Sequence, residues 1–294
     1  MASYVIYCDM SADMDRDVAA AAGIGFVPME YSLGDEMRLC DHLETRELLH
    51  TFYNGQRKGD LTKTSQITPA SYVKLFSPVL ASGKDVLYLS LSSGLSSTYD
   101  SACMASKELL EKYPKQIFCP VDTKSATAGI GLLCERAIRN QAKGMSLEEN
   151  AKDLETATQY VQHWFFVQDL MYLKRGGRVG AATAAVGTLL NMRPVLVIDA
   201  DGKLITIAKE RGNKAAIKYL LRRFQETYDP TAEDPIYIID ADDVAQADAL
   251  EKGVRELYPD ITVRRTSLSP IIGAHTGPGM SAIVNISKLE RNPK

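Results

Sequence analysis

The sequence predicts an α/β protein of two domains: an N-terminal three-layer α/β/α unit built on a parallel sheet over residues 1–162, and a C-terminal α/β unit with a mixed sheet over residues 163–294. Three observations predict it. Short apolar runs alternate with helical segments through the first half, the pattern of a parallel sheet covered by helices. After Gln162 that alternation is broken by a hairpin signal, Ala200-Asp-Gly202 between two strand-like runs. The chain has 294 residues, 45% hydrophobic and 24% charged, enough apolar material for a sizeable core without disulfide or metal staples.

Tyr4–Asp9 is an apolar run ending in an acid and reads as a buried strand. A helix is expected from about Met14 to Ala22, stopped by Gly23, and a second strand over Ile24–Met29. Residues from Tyr31 to Asp60 carry no clear period. Thr68-Pro69 opens a helix, a hydroxyl N-cap followed by proline in the first turn, which should end near Gly83. Asp85–Leu91 and Gln116–Val121 read as strands, with a helix from Ser97 between them and another over Ala126–Lys143. Ser146-Leu-Glu-Glu149 is a capping box that opens one more. In the second half the expected strands are His163–Val167, Pro194–Ile198, Lys203–Ala208, Ile236–Asp240, Ile261–Arg265 and Ile283–Ile286. The expected helices are Val179–Asn191, Asn213–Tyr228 and Val244–Leu257.

In a parallel sheet the loops that leave strand C-termini form the binding crevice. Here those loops are Asp9–Asp13, Ser92–Ser97 and Asp122–Ser125, all rich in hydroxyls or carboxylates.

Charge and cysteine usage narrow the classes. The 34 basic residues are balanced by 37 acidic ones, which argues against a nucleic-acid partner or a membrane-surface role. Five cysteines with no C-x-x-C spacing indicate neither a disulfide framework nor a zinc site. No apolar run has the length of a membrane span, and no basic n-region opens the chain, so a cytoplasmic location is expected. No G-x-x-x-x-G-K-[ST] is present, which argues against P-loop ATP binding. No metal and no cofactor are implied.

Four segments can carry chemistry. In Ser92-Ser-Gly-Leu-Ser-Ser97, Ser97 with Asp100 fits a capping box, which leaves Ser96 free to face an anion at the helix start. The same serines can equally be plain turn formers. Lys63-Thr-Ser-Gln66 offers hydroxyls beside the next helix, or is a plain polar loop. Lys174-Arg-Gly-Gly-Arg178 is a tight bend from which Arg175 and Arg178 project, suited to phosphate or carboxylate, or to solvent. Gly273-Ala-His-Thr-Gly-Pro-Gly279 frames one imidazole, His275, in what reads as a rigid loop. A fifth cluster, Lys209, Arg211, Lys214, Lys218, Arg222 and Arg223, fits the solvated face of a helix.

Taken in order, Ser92–Tyr99, Val121–Ser125, Asp169–Arg178, Gly187–Pro194 and Gly273–Gly279 resemble the motifs of the DegV family, whose members include the fatty-acid-binding (FakB) subunits of bacterial fatty acid kinase. The resemblance covers nearly the whole chain. It implies one long-chain fatty acid held between two domains, its carboxylate met by Thr64, Ser65, Ser93, Ser96 and His275. It further implies a separate ATP-binding kinase subunit that phosphorylates the carboxylate, with Arg175 or Arg178 facing that partner or the acyl phosphate. Two departures from the family pattern stand out: Asp9-Met-Ser-Ala-Asp13 after the first strand, and Ser97 where glycine is usual.

Burial of an acyl chain needs donors for the carboxylate it strands, and hydroxyls with an imidazole supply them. Two alternatives remain open from sequence: a lipid carrier or sensor with no kinase, and a serine hydrolase that uses Ser96 and His275 with an acid such as Asp9.

Overall fold

The computed structural model of the protein describes residues 4–180 and 191–291. The expected helix Val179–Asn191 falls almost wholly outside the described residues.

The first sheet is parallel, in the order β2-β1-β6-β7. Its strands are β1 (Tyr4–Asp9), β2 (Gly25–Val27), β6 (Asp85–Ser90) and β7 (Phe118–Asp122). Alternation along the strands assigns the two faces. Tyr7, Tyr88 and Phe118 meet Phe76 of α3 (Pro69–Ala81) on one face, where α3 packs on α4 (Thr98–Lys112). Tyr4 turns the other way, where its hydroxyl accepts from Asn150 of α6 (Leu147–Thr158). The expected caps form there: Thr68 Oγ1 accepts from the Ser71 amide, and Ser146 and Glu149 close a complete capping box.

The segment without a period folds as an addition to this unit. β3 (Met29–Leu33), β4 (Glu36–Cys40) and β5 (Thr62–Ser65) form a separate antiparallel sheet, with α2 (Arg46–Lys58) between the last two. Two expectations are corrected here. Ile24–Met29 is not one strand, because Pro28 has no N–H to give a ladder and the chain leaves the parallel sheet there for the small one. Lys63–Gln66 is not a loop, because Thr62–Ser65 pairs with β3. The helix expected from Met14 starts two residues later as α1 (Arg16–Ala22), which Asp15 caps, and a 3₁₀ turn over Met10–Ala12 precedes it.

The second sheet is mixed, in the order β10-β9-β8-β13-β11-β12. Its strands are β8 (Val161–Phe166), β9 (Met192–Ile198), β10 (Leu204–Arg211), β11 (Ile236–Asp240), β12 (Val263–Ser267) and β13 (Ser281–Ile286). β9 and β10 are the expected hairpin, and only β11 and β12 run parallel. Trp164 and Phe166 of β8 pack with Leu220 and Phe224 of α8 (Gly212–Thr227) and with Leu250 of α9 (Val244–Leu257). His163 and Phe165 point to the opposite face, toward the first unit.

α5 (Ala128–Ala142) lies between the two sheets and touches β1 and β6 of one and β8, β11 and β13 of the other. That position explains why Ala128–Glu135 is buried without interruption. It also explains two glycines inside the helix. A Cβ on Gly129 would lie 2.2 Å from His163 Nε2, and one on Gly131 would lie 3.0 Å from the Ala12 carbonyl. Among the described residues no helix is long and apolar enough to cross a membrane.

Candidate functional site

The loops after β1, β6 and β7 open toward the second sheet, as a parallel sheet requires. Between the loops after β6 and β7 and that sheet lies a cleft of about 780 Å³, part of it open to solvent. Its walls are mainly apolar. Leu91 and Leu95 come from the serine loop, Phe165 from β8, Ile198 and Leu204 from the hairpin, and Ile271 and Ile272 from α10 (Pro270–Thr276). Thr64, Ser65, Ser96, Arg178 and His275 line it as polar groups.

His275 sits on α10, not on the rigid loop expected; that loop begins after it, where Gly277 and Gly279 take left-handed φ. Its Nε2 lies 2.7 Å from Thr64 Oγ1. Its Nδ1 is buried with no partner. Burial, and then the charge of Arg178, push the imidazole pKa down to about 4, so the ring is neutral near neutral pH. Gly176 is what admits the ring: a Cβ there would lie 2.3 Å from Nδ1. The double glycine therefore has two separate tasks, since only Gly177 has the left-handed φ (+73°) that a side chain resists.

The two arginines of this bend, which follows from α7 (Met171–Arg175), part company. Arg175 is exposed and its guanidinium stacks on the Tyr172 ring, 4.6 Å from the centroid. Arg178 does not project outward as expected. It turns into the cleft, where Nε donates to the Leu95 carbonyl at 3.1 Å and a terminal nitrogen donates to the Gly176 carbonyl. Those two bonds leave further N–H groups of its guanidinium available.

The serine loop also differs from expectation. Ser97 makes no side-chain cap, because its backbone (φ −77°, ψ 13°) is not the extended form that aims a cap hydroxyl at its helix. Ser96 does that work: its Oγ accepts from the Thr98 amide at 3.2 Å and lies 2.9 Å from Thr98 Oγ1, while still lining the cleft. Ser93 is not among the lining residues; Lys124 Nζ donates to its Oγ at 2.8 Å. Ser65 lies at the open side of the cleft, exposed.

Ser96, His275 and Asp9 do not assemble a hydrolytic triad. Ser96 bonds Thr98, His275 bonds Thr64, and Asp9 is fully buried, where it accepts from the Leu91 amide, from Ser11 and from Tyr88. Among the described residues no group of three or more His, Cys, Asp or Glu side chains converges as metal ligands. The basic cluster from Lys209 to Arg222 is exposed, and Arg222 and Arg223 pair with Glu226.

Two polar lining residues lie outside the segments singled out from sequence. His163 is buried and its pKa lies well below the ordinary value, first from burial and then from the charge of Arg291. Thr127 lies at the start of α5. The available signals were alternation along β8 for the first and the hydroxyl-rich turn after β7 for the second.

Fold and cleft together define the class: a three-sheet α/β protein with an apolar cleft that carries hydroxyls, two neutral imidazoles and one guanidinium on its walls. Residues 3–288 match the family described as "Uncharacterised protein, DegV family". The chain belongs to the DegV family. A DegV domain-containing protein of Clostridium perfringens is 33% identical over 283 residues, which are 96% of this chain and 97% of that protein. The crystal structure of a DegV lipid-binding protein from Thermotoga maritima matches with a TM-score of 0.83 at 30% identity, covering 99% of this chain and 100% of that one. A DegV family protein from Thermus thermophilus, described by its fatty acid binding, matches with a TM-score of 0.83 at 27% identity, covering 97% and 99% of the two chains.

Proposed function

We propose that this protein binds one long-chain fatty acid in the cleft between two units, residues 1–162 and 163–294, and presents the carboxylate to a separate ATP-binding kinase subunit. The observation that carries the reading is the composition of the cleft: apolar walls with Thr64, Ser65, Ser96, His275 and Arg178 among them. Burial of an acyl chain gains roughly 0.8 kcal/mol per methylene, so sixteen carbons supply on the order of 10 kcal/mol before costs. The carboxylate buried with it must be met by donors. The hydroxyls of Thr64, Ser65 and Ser96 and a neutral imidazole act as hydrogen-bond partners, and the guanidinium balances the charge. The lipid and fatty acid binding described for the Thermotoga and Thermus relatives supports the ligand class. The kinase step rests on the family resemblance and on the lack of a nucleotide-binding motif in this chain, so the phosphoryl donor is assigned to a partner. The exposure of Arg175 supports that arginine, rather than the inward-turned Arg178, as the one that meets the partner. Ser93, held by Lys124, belongs to the second layer around the carboxylate.

Mass spectrometry tests the ligand. Purified protein should carry about one long-chain acid per chain, seen intact under native conditions and as free acid after solvent extraction. Protein that arrives empty and takes up no added fatty acid would refute the reading.

A further inference from the structure

The first βα loop holds two acids, Asp9 and Asp13, both buried among neighbours far away in sequence. Asp9 reaches forward to the serine loop through the Leu91 amide, at 2.7 Å. Asp13 reaches in two directions. Its Oδ2 accepts from Thr127 Oγ1 at 2.6 Å, and its Oδ1 accepts from the Ser269 amide at 2.9 Å. Thr127 precedes α5 and lines the cleft; Ser269 precedes α10, the helix that carries Ile271, Ile272 and His275 into the cleft.

We propose that Asp13 is a positioning residue for this cleft: its carboxylate ties the start of α5 to the start of α10 and so holds in place the wall that bears His275. The inference rests on the fatty-acid reading above. It goes beyond it by naming a residue that touches no ligand and yet sets the affinity.

Three observations support it besides the two bonds. Thr127 stands at φ +50°, ψ −141°, a conformation that strains a β-branched residue and that a structure keeps only when its surroundings impose it. Its hydroxyl makes no bond to its own helix, although it occupies the N-cap position; the bond to Asp13 takes its place. At the other end, Ser269 likewise makes no side-chain cap to its own helix, and the bond from its backbone N–H to Asp13 joins the start of α10 to this loop. Asp13 itself is in the left-handed region (φ 42°), which turns its side chain back between the two helix starts. A single carboxylate therefore links groups 114 and 256 residues away.

The test compares wild type with Asp13→Ala, Asp13→Asn, Thr127→Val and the double variant Asp13→Ala/Thr127→Val. Each is assayed for affinity toward a sixteen-carbon fatty acid, for melting temperature, and for the NMR titration of His275. Asp13→Ala should bind at least tenfold more weakly at a temperature where it is fully folded. Asp13→Asn should recover part of that loss, because its amide oxygen still accepts from Ser269 and its amide nitrogen can donate to Thr127. Thr127→Val should weaken binding in the same direction, and the double variant should bind no worse than Asp13→Ala within about twofold, as expected of residues acting as a unit. In Asp13→Ala the His275 titration should move up toward the ordinary range as the imidazole loses its buried seat. Folded Asp13→Ala that binds within twofold of wild type overturns the proposal, as do losses that add in the double variant. Should Asp13→Ala not fold, Thr127→Val decides on the same criterion. Wild type that takes up no fatty acid refutes the binding reading instead, and the His275 titration then decides on Asp13 by itself.

Discussion

Replacing Gly176 by alanine isolates the imidazole more cleanly than mutation of the imidazole itself. Gly176 has ordinary helical dihedrals (φ −72°, ψ −9°), so alanine costs nothing in backbone strain. The whole effect is steric. Its Cβ would lie 2.3 Å from His275 Nδ1, and the ring must withdraw by about 1 Å to reach ordinary van der Waals contact. It has little room to withdraw, because Nε2 on the far side is already 2.7 Å from Thr64 Oγ1. The ring must therefore rotate and give up that bond. Overpacking of this kind costs about 1–3 kcal/mol in stability, and the lost bond about 0.5–1.5 kcal/mol. If the imidazole meets a carboxylate, loss of that contact costs about 1.5–3 kcal/mol, or roughly ten- to a hundredfold in fatty acid affinity. Gly177→Ala is the control. It meets nothing within 4 Å but stands at φ +73°, so it should cost about 1–2 kcal/mol of stability and leave affinity nearly unchanged. Urea midpoints and fatty acid titrations on both variants read the two effects apart. Gly176→Ala that binds the acid as tightly as wild type, with unchanged His275 resonances, refutes the reasoning.

Three further outcomes are expected. Arg178→Ala should weaken a fatty acid by roughly tenfold or more relative to its methyl ester, because the lost donor is charged, whereas Arg175→Ala should leave binding within a few-fold and lower acyl-phosphate formation with the cognate kinase subunit; binding assays and coupled turnover on the same pair check this, and equal behaviour of the two arginines counts against the division. A chromogenic ester should show neither turnover nor an acyl-enzyme at Ser96; burst kinetics abolished by Ser96→Ala would reinstate the hydrolase. Burial pushes Asp13 up to about 7 from an unfolded value near 3.9, so between those values the folded protein holds the extra proton and stability falls as pH rises, by on the order of 4 kcal/mol over the window. In Asp13→Asn that contribution is absent, and the urea-midpoint difference should shift in favour of the variant from pH 4 to 7 and level off above; a difference independent of pH sinks this assignment.

Local chemistry made many elements legible from the sequence. Thr68-Pro69 and the Ser146–Glu149 box announce their helices because caps are contacts across three residues. Ile236–Asp240 and Val244–Leu257 appear with the expected bounds, since the apolar run of one and the helical period of the other are complete in themselves. Five ordered motifs sufficed to point to the family. The strands among residues 31–60 went unread and the one over Thr62–Ser65 read as a loop, because strands of four or five residues, half of them polar, carry too little pattern to be read.

Only the tertiary structure decided how the site is put together. That Arg178 turns inward while Arg175 lies on Tyr172 depends on Leu95, a carbonyl 83 residues away. That Ser96 rather than Ser97 caps α4 depends on the dihedrals at the helix start, which the loop residues alone do not reveal. His163 became part of the cleft because β8 presents alternate residues to opposite faces, and only the placement of α5 determines which face meets the first unit. The physical reason is one of range. Caps, turns and hydrophobic period act over a few residues and are written in order along the chain. The cleft and its supports are formed by groups brought together from far apart in the chain, such as Thr64 with His275, 211 residues apart, and Asp13 with the Ser269 amide, 256 apart, and such pairs exist only once the two sheets have packed around α5.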